Sequence, residues 1–175
     1  MGQALSCGGG VNIDSSSNYG PSVSVRGTLY WCARDRQRDK GMQGYYSVWL
    51  GDHFDQPKLL QIAGVDAIQD PFIAPDEKYL VFLSGNDLYI AFRQGEGWAA
   101  AQKLGDQVNN GDGNSSPCVS HDGKTLYYSS GRIKGMYERD KVHALNYDQL
   151  EKENDGYFNG FDNILMIPIR LPEGM

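Results

Sequence analysis

The chain has 175 residues, 22 glycines, 11 tyrosines and a formal net charge of −6, a balance that suits one buried core made of short strands and turns rather than long helices. An acidic chain must build any phosphate-binding face locally, which argues against nucleic acid as a partner. No apolar run reaches the about 20 residues that a membrane-crossing helix needs, and Cys7, Cys32 and Cys118 stand at no zinc-like spacing.

From the N-terminus, Gln3 to Ser6 is expected as a short strand, with no export signal legible before Cys7. A polar loop from Val11 to Gly20 follows. Pro21 to Trp31 then reads as a hairpin with Gly27 in its turn and a second strand opening at Thr28. Between Arg34 and Lys40, four basic residues alternate with Asp35 and Asp39, the pattern of a self-neutralising loop. A third strand is expected over Tyr45 to Leu50 and a fourth over Pro57 to Gln61.

The same order then returns. Pro71 to Phe82 aligns without a gap on Pro117 to Tyr128, pairing Asp76 with Asp122, Lys78 with Lys124 and Leu80 with Leu126. Pro21 to Trp31 fits that frame with its turn one residue shorter. Asp76 and Asp122 are read as turn-capping residues, and Gly123 as the source of a positive φ. Glu77, at the equivalent place, implies a turn without that demand. Third strands are expected over Asp87 to Phe92 and Asp162 to Pro168, and a fourth over Trp98 to Leu104. The stretch 132–161 is an insertion, with a helix expected over Glu138 to Glu153. Cys32 and Cys118 fall inside expected strands and read as small apolar residues, with a bridge between them left open.

Four strands in a period of about fifty residues is the blade of a β-propeller. The expected fold is therefore all-β: three four-stranded blades at about 19–62, 66–104 and 112–170, half of a six-bladed ring. The last blade either lacks its outer strand or is completed by the N-terminal one. The segments Asn86-Asp-Leu-Tyr-Ile90, Gly97 to Leu104, Ala74-Pro-Asp-Glu-Lys78 and Ser120-His-Asp-Gly-Lys124 resemble the WD-repeat-like propellers of the TolB type, and the likeness runs over most of the chain. That resemblance implies a periplasmic or extracellular setting and a protein or peptide partner. Three blades do not close alone, so ring completion calls for self-association or for blades upstream.

In a propeller, the loops entering each first strand and those joining second to third strands share one face. The binding-face candidates there are Arg34, Asp35, Arg36, Tyr45, Asn110, Asp112, Asn114, Tyr137, Glu138, Tyr147 and Tyr157, in which aromatic residues suit an interface. Asn110, Asp112 and Asn114 place oxygens at alternate positions, as a calcium loop does, but Ser115 and His121 stand where an EF-hand needs Gly and Glu. No cofactor is the default expectation, with calcium as the alternative. His53, His121 and His143 form no metal motif, and a Gly-x-Ser-x-Gly elbow is absent, so no catalytic residue is assigned. Asp35, Asp39, Glu138 and Asp140 keep a carbohydrate-active reading open, because glycoside cleavage needs paired carboxylates.

Overall fold

Aromatic and β-branched residues, punctuated by Asp, Gly and Pro, form strands wherever the sequence repeats itself. The computed structural model describes residues 3–8, 10–36, 41–110, 113–131, 146–156, 159 and 161–171. These form three antiparallel sheets, none closed into a barrel. The first holds β1 (Ser17–Val23), β2 (Leu29–Arg34), β3 (Met42–Ser47) and β4 (Lys58–Leu59), in that order. In the second, β5 (Gln69–Ile73), β6 (Tyr79–Ser84) and β7 (Asp87–Gln94) run in order, and both β8 (Gly97–Trp98) and β9 (Gln102–Lys103) pair with β7. The third is β10 (Asn114–Val119), β11 (Thr125–Ser130) and β12 (Asn163–Pro168). Helix α1 (Tyr147–Asn154) lies between β11 and β12 in the chain.

The middle sheet is buried on both faces, which explains the nearly unbroken apolar run of β6. Side chains alternate along a strand, so Leu80 and Phe82 pack with Tyr30 of the first sheet and with Ile68 just ahead of β5, while Val81 and Leu83 pack with Leu126 and Tyr128 of the third. The first strands of the three sheets are neighbours, with β5 between β1 and β10.

The three first strands share a further device. Each breaks register at the same place, between Tyr19 and Ser22, Gln69 and Phe72, and Ser115 and Cys118. Within each break the residue before proline is left-handed: Gly20 at φ 57°, Asp70 at 45° and Ser116 at 49°. Proline disfavours the right-handed helical region for the residue before it, and these bulges bend the strands at equivalent positions.

Several expectations are corrected. The turn after Pro75 keeps a positive φ at Glu77 (61°), as at Gly27 (81°) and Gly123 (71°), although no glycine stands there. Its carboxylate is buried and held from two sides, and those contacts offset the strain. The strand expected over 98–104 is split into β8 and β9 because Ala101 turns its N–H to Ala63 O, 2.8 Å away on the first sheet's connection. Residues 3–6 form no strand and leave Leu5 87% exposed. Ser6 of that segment accepts from Asn12 Nδ2 (3.0 Å), and the loop that follows is tied to the first sheet through the Val11 carbonyl, which accepts hydrogen bonds from Asn18 (3.3 Å) and Arg36 (2.9 Å). Among the described residues the third sheet thus ends at β12. Strand β3 spans Met42–Ser47 rather than Tyr45 to Leu50, because Trp49 and Phe54 close a small hairpin of their own, rings 4.9 Å apart. Cys32 and Cys118 are free thiols. The helix begins at Tyr147, where Asn146 and Gln149 exchange reciprocal cap bonds of 2.9 and 3.0 Å; residues 138–145 lie outside the described residues.

Candidate functional site

The three bulges converge on one cleft of 240 Å³, lined by Pro21, Pro71 and Pro117 together with Phe72, Asp70 and Ser116 among others. Prolines here withhold N–H groups, so the walls are apolar and cannot pair with a further strand. Among the described residues, Asp70 is the single charged side chain of the lining. Its Oδ2 accepts from Ser116 N–H (3.1 Å) and Ser116 Oγ (3.4 Å) in the third sheet. Toward the first sheet, its N–H donates to Cys32 Sγ (3.4 Å), and the Cys32 thiol reaches its Oδ1 at 3.9 Å. Burial pushes the Cys32 thiol up, with the Asp70 charge adding to the effect, so the sulfur stays protonated as a donor.

Asp70 thereby joins all three sheets at the cleft. Asp70→Ala removes the carboxylate's bonds to Ser116 and to the Cys32 thiol and leaves a Cβ residue at positive φ without compensation, at an expected cost of about 2 kcal/mol. Asp70→Asn, which retains an acceptor and tolerates the left-handed conformation, is expected to cost less than half of that, roughly 1 kcal/mol or below. Urea denaturation of the two variants checks the order.

A second cluster caps the first sheet. The Arg36 guanidinium lies 5.7 Å from the Trp31 ring centroid and 5.2 Å from that of Tyr45, and the two rings stack at 5.9 Å. Trp31 Nε1 donates to Asn18 Oδ1 at 3.0 Å. Burial raises the Tyr45 phenol, against the opposing pull of Arg36. Arg36 and Tyr45 are thus brought together as expected, but Tyr45 is buried beneath the arginine rather than open to a ligand. Arg34 and Asp35 are exposed beside them.

The other expected site residues scatter. Asn114 is buried at the start of β10, with its amide engaged by its own loop, instead of lying on an open rim. Asn110, four residues earlier, is partly buried, and Tyr147 stands exposed at the first residue of α1. Asp112, Tyr137, Glu138 and Tyr157 lie outside the described residues, as do Asp39 and Asp140. Asp35 is therefore the one member of the candidate carboxylate set that is described. Among the described residues no three His, Cys, Asp or Glu side chains gather closely enough to hold a metal.

Sequence reasoning missed a buried ionic cluster between the first and second sheets. Glu77 accepts from Ser24 Oγ at 2.6 Å and from Arg93 Nη2 at 2.8 Å. Arg93 lies 4.3 Å from the Trp98 ring centroid and reaches the Tyr30 hydroxyl at 3.4 Å. Burial alone would raise the Glu77 carboxyl, but hydrogen bonds from Ser24 and Thr28 and the Arg93 charge hold it below its ordinary value. Tyr30 is pushed up to about 12, chiefly by burial and then by the Glu77 charge. With its two charged groups paired, this cluster clamps two sheets together. Asn109 was missed too; its amide ties Leu88 to Leu104. No family model and no curated protein matches the chain.

Proposed function

We propose that this chain is a section of a β-propeller similar to the TolB type, and that it is a non-catalytic module binding a protein or peptide segment at the cleft shared by its first strands. The convergence of Pro21, Pro71 and Pro117 on that cleft is the observation that carries this reading. In a propeller the first strands surround the axis, and equivalent residues of successive blades meet there. A rigid, mostly apolar cleft with one carboxylate suits an extended segment bearing an apolar side chain beside a basic one.

The open face of the third sheet supports the same architecture. Ile164 and Met166 of β12 are 79% and 72% exposed, and Tyr127 is half-exposed on the same face. In the repeat, Tyr127 stands where Val81 does in the second sheet, a residue buried against the following sheet. A further blade, from a second copy or from additional chain, would cover this face and continue the ring. The propeller setting also carries the expectation of a location outside the cytoplasm.

The test is selection of binders from a displayed random-peptide library. Selected peptides are expected to bind the wild type and to lose at least about tenfold in affinity against Cys118→Trp, which fills the cleft from an exposed wall position. Peptides indifferent to that substitution would contradict the reading, as would turnover of an oligosaccharide panel by the wild type.

A further inference from the structure

We propose that the corner where the connection from β9 enters β10 binds a hard cation, with calcium best suited, through Asn110 Oδ1, Asn114 Oδ1 and Ser130 Oγ. All three oxygens are buried and none has a hydrogen-bond partner. Asn114 and Ser130 share one corner because they stand directly opposite each other in the β10–β11 ladder, which brings their Cβ atoms to about 5 Å, and Asn110 precedes Asn114 by four residues on the connection that enters β10.

The orientation of the Asn114 amide is dictated by its surroundings. Asn109 Oδ1 accepts from the Leu88 N–H (2.7 Å), and its Nδ2 donates to Leu88 O (2.9 Å) and Leu104 O (2.8 Å), so Asn109 cannot be flipped. Asn114 Nδ2 in turn donates to Asn109 Oδ1 (3.2 Å) and Val108 O (3.2 Å). Both acceptors face its nitrogen, and turning the amide would set oxygen against oxygen. Asn114 Oδ1 is therefore aimed away from them, with no donor to meet it. A buried acceptor left in this state is costly, and such groups in folded proteins normally meet a donor, a water or an ion.

The chemistry of the corner selects among these. Amide carbonyl and hydroxyl oxygens are hard, uncharged ligands, which calcium accepts in flexible geometry while water completes its shell. Magnesium demands a near-ideal octahedron and gives up its water reluctantly. Without a carboxylate among these three ligands, the affinity belongs to the weak end of calcium sites.

Thermal unfolding of the full chain tests this. At about 10 mM calcium, with a dissociation constant of about 1 mM, the midpoint is expected to rise by about 4 °C, whereas magnesium at equal ionic strength gives no rise. Ser130→Ala removes only an unpartnered hydroxyl, so it is expected to fold as the wild type does and to lose most of the calcium response. Asn114→Ala should abolish the response at a lower starting midpoint. No rise with calcium, or an undiminished rise in Ser130→Ala, would overturn the proposal and leave a buried water as the occupant of the corner.

Discussion

Glu77→Ala is expected to destabilise the fold by about 3 kcal/mol, a fall of roughly 6–12 °C in midpoint for a chain of this size. Three losses combine. The change leaves Arg93 without its carboxylate, deprives Ser24 of its acceptor, and puts an alanine at φ 61° with nothing to hold it there. The effect also depends on pH. Glu77 has a depressed carboxyl in the folded state, so it contributes stability that is complete above the unfolded carboxylate value of about 4.3 and is lost as pH falls through the folded one. The wild type should accordingly lose more stability than Glu77→Gln on descending below about pH 4. Urea titrations at neutral and acid pH measure both terms.

Phe82→Ala is expected to cost about 4 kcal/mol. The ring is fully buried in the core between the first and second sheets and stacks on Tyr89 at 6.0 Å. Tyr127, in the equivalent strand of the third sheet, is 39% exposed on the open face, and Tyr127→Ala should cost about 1 kcal/mol or less. The contrast is informative because both residues lie on second strands of the repeat. Side-by-side packing of sheets predicts a large penalty for the first and a small one for the second. Equal penalties in guanidinium denaturation would mean that the open face is covered.

The strands were legible because their signals are local. Pro71 to Phe82 and Pro117 to Tyr128 share turn residues and apolar alternation, and they become β5–β6 and β10–β11 with the same register break. What the repeat hides is the left-handed residue before each proline, since Gly20, Asp70 and Ser116 share no chemical type. Glu77 was misread for a related reason. Its turn looks ordinary until Ser24, fifty-three residues away, is brought against it.

The candidate site was less legible than the fold. Arg36 and Tyr45 carry the signature of a ligand-facing pair, but their partners, Trp31 and the Val11 carbonyl, come from β2 and from the segment ahead of β1. Alternate oxygens at Asn110 and Asn114 were visible in the sequence, whereas Ser130 joins them only through strand pairing. The start of α1 had a local signal in Asn146 and Gln149, three residues apart, although the charged stretch from Glu138 pointed to an earlier beginning.

Stacking of the three sheets about their first strands is the claim on which the rest depends, and thiol cross-linking tests it most directly. Ser22 of β1 and Cys118 of β10 line the same cleft although nearly a hundred residues separate them. With Cys7 replaced by serine, Ser22→Cys should be joined to Cys118 rapidly by a short bis-maleimide, while Lys58→Cys in the fourth strand of the first sheet should not. Cross-linking of Lys58→Cys as fast as that of Ser22→Cys, or failure of both, would contradict the arrangement.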